Sequence, residues 1–209
     1  MSIRHVVASA SLASAVAVAT NGHAAPPRAA DPDWPCQQIL VPKLSAAAYW
    51  NGPPLGGLGD WRADPEVADL VRRLAPRHVT VQEGLAQIAA FAGTLSQDRP
   101  RRLGLAFGGL LEETDRERGA LIAELKEIGR RQRELADLVA RLAEELNSIP
   151  PNAGGEAVAK RADLQQRHDF TARNFEEIQR TIRYACETPV ALDARLGAWA
   201  RALQESASE

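Results

Sequence analysis

Two facing heptad registers, joined by a cluster of helix breakers, constrain this chain more than any other feature of its sequence. Going out, Arg118, Leu121, Leu125, Ile128, Gln132, Leu135, Val139, Leu142 and Leu146 recur at alternating steps of three and four residues, the seam of a coiled coil. Coming back, Ala157, Arg161, Leu164, His168, Thr171, Phe175, Ile178, Ile182 and Ala185 repeat the pattern. Between them stand Pro150, Pro151, Gly154 and Gly155, residues that stop a helix and turn the chain. Folding there sets Leu146 against Ala157, Val139 against Leu164, Ile128 against Phe175 and Leu121 against Ile182, each pair of numbers giving the same sum. Both seams are therefore satisfied inside one chain, as an antiparallel helical hairpin. At about 1.5 Å per residue the arm from Arg118 to the turn reaches about 45 Å.

Two layers of that seam are polar or mixed, Gln132 opposite Thr171 and Leu135 opposite His168. A polar layer commonly fixes register at some cost in stability, and that role is expected for Gln132, Thr171 and His168. A metal at His168 is not expected, because bundle sites of the ferritin type use several inward Glu and Glu-x-x-His motifs, which are missing here. No other transition-metal set or cofactor motif is present either.

The N-terminus reads Met1-Ser2-Ile3-Arg4-His5, then an apolar and small-residue run from Val6 to Thr20, then Gly22-His23-Ala24. That order is the layout of a secretory signal peptide over residues 1–24, with cleavage after Ala24. The run is rich in Ala and Ser and shorter than the roughly 20 apolar residues a spanning helix needs, so no stable membrane insertion is expected after cleavage. A periplasmic or secreted location follows. Loss of the leader removes Arg4 and no acid, which takes the formal net charge of -2 one unit further negative. Along the hairpin, cations and anions are interleaved, with Glu127/Arg131, Asp137/Arg141, Asp163/Arg167, Asp169/Arg173 and Glu176/Arg180 at helical spacing. Such pairs support a solvated helix face by about 0.2 to 0.5 kcal/mol each. Even the cluster Arg130, Arg131, Arg133 reads as part of that face, and nucleic acid is not an expected partner.

Cys36 and Cys186 are the only cysteines. An even count in an exported chain reads as a disulfide, and their wide separation excludes Cys-x-x-Cys chemistry and zinc knuckles. Such a bridge ties the N-terminal segment to the root of the hairpin. The stretches Asp31-Pro32-Asp33-Trp34-Pro35-Cys36-Gln37 and Tyr184-Ala185-Cys186-Glu187-Thr188-Pro189-Val190 resemble an uncharacterised family of secreted bacterial helical proteins with a Trp-Pro-Cys segment. The resemblance implies that the two cysteine segments belong together, and it brings no activity.

Residues 25–63 read as an extended strap, since Pro and Gly recur from Pro26-Pro27 to Gly59. Three of the four tryptophans, Trp34, Trp50 and Trp61, lie in it with Tyr49, Ile39, Val41 and Leu44. Large apolar groups are costly to leave wet, so the strap is expected to pack on a helical base; the alternative use of the rings is an aromatic ligand pocket. Residues 64–209 then form the helical domain, with the arm over 114–186. Asp64-Pro65 starts one helix, the capping box Thr80/Glu83 a second, Asp98 and Pro100 the long third, and Thr188-Pro189 a fifth. Gly104, Gly108 and Gly109 inside the third imply close helix contact or a kink.

The expected fold is all-α, a small helical base with a long antiparallel coiled-coil hairpin and an N-terminal strap. Gly56-Gly57-Leu58-Gly59 lacks the Lys-Ser/Thr of a phosphate loop, and neither Gly-x-Ser-x-Gly nor His-Glu-x-x-His occurs. The expected function is accordingly non-enzymatic: a periplasmic interaction or scaffold protein whose arm meets another periplasmic or envelope protein. A ligand-binding module using the Trp-rich strap and a holdase-type chaperone are the alternatives.

Overall fold

A computed structural model describes residues 31–208. The predicted leader 1–24 and the first strap residues lie outside them. The described chain is all-α: α1 Pro65–Leu74, α2 Val81–Thr94, α3 Arg99–Ser148, α4 Glu156–Ala185 and α5 Glu187–Ser208, preceded by two single 3-10 turns at Ala46–Ala48 and Trp61–Ala63.

Local chemistry starts the first two helices where the sequence says. The Asp64 carboxylate accepts from the backbone N–H groups of Glu66 and Val67, both at 3.2 Å, with Pro65 in the first helical turn. These bonds satisfy donors that have no partner inside a helix. The same carboxylate receives Arg102 of α3 at 2.7 and 2.8 Å, so one residue caps α1 and ties it to its neighbour. Thr80 and Glu83 close the capping box of α2 in both directions.

Two predicted helix starts differ. Asp98 precedes α3 in a left-handed conformation (φ 52°) and its side chain makes no capping bond, so α3 opens without the expected cap. Thr188-Pro189 does not open α5 either. That helix begins at Glu187, a single residue after α4 ends, and Pro189 sits buried in its first turn, where its missing N–H costs nothing. The last two helices are thus one bent rod with its corner at Cys186.

The core of the base is formed by α1, α2, α5 and the first turns of α3 around Phe107 and Trp199, both fully buried. Close approach explains two of the three glycines of α3. A Cβ at Gly104 would stand 2.9 Å from Leu58, and one at Gly109 would stand 2.7 Å from Val71 and 2.9 Å from Trp61. The helix runs past them unbroken for its 50 residues; the close neighbours are strap and α1 side chains. Gly108 has nothing within 4 Å, and no packing reason for it is visible.

In the arm, Leu125, Leu142, Leu146, Leu164 and Ile182 of the two seams are buried, and Leu121, Ile128, Leu135, Val139, Phe175 and Ile178 are half-buried. The far end has its own small core of Leu142, Leu146, Ile149 and Leu164. There Arg161 donates to the carbonyls of Leu146 (3.1 Å) and Ile149 (2.9 Å), covering the C-terminus of α3 with a cation, as its dipole favours. Gly155, with φ at 61°, leads out of the turn.

One face of α3 lies outside this seam and is still covered. Ile122 and Gly129 are buried although they are not seam residues; over Gly129 lie Asp33 and Pro35 of the strap, which runs along the arm as well as over the base.

Candidate functional site

The strap meets the arm through a short series of specific ties. Lys126 pairs with Asp31 at 2.7 Å, and Arg133, one turn beyond Gly129, bonds the Pro32 carbonyl and the Asp33 carboxylate. The hydrogen bond from Lys126 holds the Asp31 carboxyl below the usual carboxylate range. Arg133 is therefore engaged within the chain, while its neighbour Arg130 is shared between Glu127 and Glu134. Further along, Arg118 donates to the Val41 carbonyl at 3.3 Å, and Asp115 accepts from the Leu44 N–H at 2.6 Å. Burial pushes the Arg118 guanidinium down.

Between these two sets of ties the disulfide forms as expected. Cys36 is bonded to Cys186, with their Cα atoms 5.7 Å apart. Gln38 Nε2 donates to the Cys186 carbonyl at 2.7 Å, and Trp34 Nε1 donates to the Gln38 carbonyl at 2.7 Å. The strap is thus fastened to the corner between α4 and α5, by a covalent bond and by a carbonyl left over at the end of α4.

The aromatic residues do not converge on one pocket. Trp50 stacks on Phe107 with ring centroids 4.7 Å apart and donates to the Pro53 carbonyl at 2.8 Å. Trp61 donates to Glu112 at 2.9 Å, beneath the Arg62 guanidinium. The Tyr49 hydroxyl donates to Asp193, a carboxyl pushed up by burial, and Trp34 holds the strap to itself. Each ring has its own packing or hydrogen-bonding partner. Leu44, Trp50 and Trp61 are buried, but Ile39 is 89% exposed and Val41 46%.

A cleft of 720 Å³ opens beside the disulfide, where the strap, the middle of α3, the end of α4 and the start of α5 meet. Four amides face it, Gln37, Gln38, Gln132 and Gln179, together with Arg183 and Glu187. The apolar part of its wall comes from Pro35, Ile182, Val190 and Ala191. Its size falls in the range usual for ligand sites. Sequence reasoning missed this cleft, because its walls come from three widely separated stretches of the chain.

Of the predicted polar layer, Gln132 is half-buried and lines this cleft. Thr171 is buried, and its hydroxyl donates to the Arg167 carbonyl of its own helix at 2.8 Å. His168 is half-buried with Nδ1 3.2 Å from Asp169. The α4 members of the layer are therefore satisfied along their own helix.

The outer face of α4 carries the other exposed feature of the arm. Phe170 is 66% and Tyr184 73% exposed, two heptads apart and at the same heptad position. Among the described residues, no group of three or more His, Cys, Asp or Glu could hold a metal ion, and no helix is long and apolar enough to cross a membrane. Comparison of the chain with known protein families, with curated proteins and with solved structures returns no match.

Proposed function

We propose that this is an exported, non-enzymatic interaction protein whose arm presents the outer face of α4 to another periplasmic or envelope protein. The observation that carries the reading is the exposed pair Phe170 and Tyr184. Aromatic side chains are the usual anchors of protein interfaces, and these two stand about 21 Å apart along a rigid rod. The fastening of the arm supports the same reading. A disulfide, two strap ion pairs and the Asp115 and Arg118 bonds hold the root, which lowers the ordering cost of binding at its face. The predicted leader and the disulfide support export. A holdase would need a broad apolar clamp, whereas the arm's exposed faces are laced with ion pairs such as Glu127–Arg130–Glu134.

The test is a photo-crosslinking amino acid placed at Phe170, at Tyr184 and, as a control on the base, at Arg73. Irradiation of exported material should give one common adduct from the two α4 positions and none from the control. Absence of an α4 adduct, or equal labelling from Arg73, overturns the reading.

A further inference from the structure

The Cys36–Cys186 bridge is not sealed inside the protein. Both cysteines are half-buried and both line the 720 Å³ cleft, so a small molecule that enters the cleft reaches the bridge. Exposed disulfides are the class that exchanges with thiols, whereas buried ones resist reduction. The charges of the wall bear on the same chemistry. Arg183 is exposed, lines the cleft and has no ion-pair partner among the described residues. Cys186 keeps helical backbone angles (φ -65°, ψ -21°) past the end of α4, so Arg183, three residues before it, is its neighbour on the helix surface. A cation in that place favours a sulfur anion. Glu187, the one acid of the wall, follows Cys186 and opposes it.

The strap is tied on both sides of Cys36. Before it stand the Lys126–Asp31 and Arg133–Asp33 pairs, and after it the bonds of Arg118 to Val41 and of Asp115 to Leu44. Gln38 also donates to the carbonyl of Cys186. Opening the bridge therefore leaves the two sulfur atoms within a short loop of each other, at an effective concentration that lets them close again.

We propose that Cys36–Cys186 is an exchange site for a low-molecular-weight thiol, which enters the cleft and forms a mixed disulfide with Cys36. The thiol gives its proton to water, and its thiolate attacks Cys36 Sγ. The new S–S bond forms as the Cys36–Cys186 bond breaks, and the electron pair leaves on Cys186 Sγ, beside Arg183. The incoming sulfur is oxidised and Cys186 is reduced. The step reverses when the Cys186 thiolate attacks the mixed disulfide and expels the thiol; a second equivalent of thiol instead releases Cys36 as a free thiol. This chemistry does not depend on the α4 face having a partner.

The test exposes the oxidised full chain to reduced glutathione, in native buffer at low salt and in urea, quenches samples with iodoacetamide and reads them by intact mass and peptide mapping. The native product should carry one glutathione, on Cys36, and one carbamidomethyl group, on Cys186. A shielded bridge exchanges only through unfolding, about a thousandfold or more below the unfolded chain, so the native rate should lie within about a hundredfold of the rate in urea. The ratio of native to urea rates should fall in Arg183→Gln and rise in Glu187→Gln, both at exposed positions. A slower native rate, or glutathione found on Cys186 in place of Cys36, would overturn the proposal, as would ratios that the two charge variants leave unmoved. The first two readings use the unaltered protein, so they do not depend on a variant folding.

Discussion

Gly129 of α3 lies under the backbone carbonyl of Asp33, so close that a Cβ on the glycine would stand 2.2 Å from that oxygen. The strap crosses the arm at this point, with Lys126 and Arg133 gripping it from either side. Gly129→Ala sets two effects against each other. Alanine favours a helix interior by about 1 kcal/mol, but overlap with a backbone atom must be relieved by moving the strap, at a typical overpacking cost of about 1 to 3 kcal/mol. The overlap is expected to win. Thermal melting should fall by a few degrees, and amide exchange should quicken at residues 31–35 while helical circular dichroism is kept. A raised melting temperature with unchanged exchange would mean the strap does not seat on Gly129.

That crossing also marks where sequence reasoning stops. The seam, the capping of α1 and α2 and the pairing of Cys36 with Cys186 are legible because each depends on local periodicity, on a cap or on cysteine count. The course of the strap is not legible, because it has no period and its ties are single contacts between distant residues. Gly129 among good helix formers, flanked by Lys126 and Arg133, was a faint signal of it. The exposure of Ile39 is not legible for a related reason. Hydrophobicity says that a side chain gains from burial, but it does not say that the chain passes close enough to a groove to bury it. The cleft was hidden similarly, since Gln132 reads as a seam residue until the strap and α5 are placed beside it.

Asp64 links helix capping to pH. Its carboxyl is held below the ordinary aspartate range, first by the hydrogen bonds from Arg102 and then by the N–H groups of α1. A carboxyl depressed in the folded state contributes stability above its unfolded pKa and loses that contribution as pH falls through the folded value. Glu112, held down first by Arg62 and then by Trp61, acts in the same direction. Stability to urea should therefore be level near neutrality and fall below about pH 4. Asp64→Asn should lower stability at pH 7 and make the fall on acidification shallower. An unchanged acid slope in that variant would show that Asp64 is not one of the groups responsible.

Arg195 is a buried cation with backbone carbonyls for hydrogen-bond partners. At 5% exposure, it reaches from α5 to the carbonyls of Ala75 (3.1 Å), Pro76 (2.8 Å) and Val79 (3.3 Å), closing the end of α1, and its guanidinium lies over Trp199. Burial lowers its pKa, but an arginine has ample range to remain charged. Truncation leaves those carbonyls dry and opens a cavity beside Trp199, so Arg195→Ala should cost about 3 kcal/mol or more in chemical denaturation. Arg195→Lys keeps the charge, loses the planar fork, and should fall between the two. If Arg195→Lys matched the original protein, charge alone would account for the residue and the three carbonyl bonds would contribute nothing measurable.

The Cys36–Cys186 bridge joins residues 150 positions apart, and its removal should act on two levels that can be separated. Chain-entropy reasoning assigns a loop of that length about 4 to 5 kcal/mol, with engineered bridges often giving less. Global stability should therefore drop on reduction, and the Cys36→Ser/Cys186→Ser pair should show the same drop without a reductant. Locally, the stretch from Asp31 to Leu44 would keep Gln38, the two ion pairs, the Arg133 bond to the Pro32 carbonyl and the Asp115 and Arg118 bonds. Exposed ion pairs contribute little, so limited proteolysis should cut between Cys36 and Val41 well before it reaches α3 or α4. The seam of the arm is independent of the bridge, and helical circular dichroism below the transition should be unchanged. Loss of helix content in the double serine variant at low temperature would show instead that the hairpin needs the bridge to form. Cleavage confined to the tip near Gly154 would show that the strap is held without it.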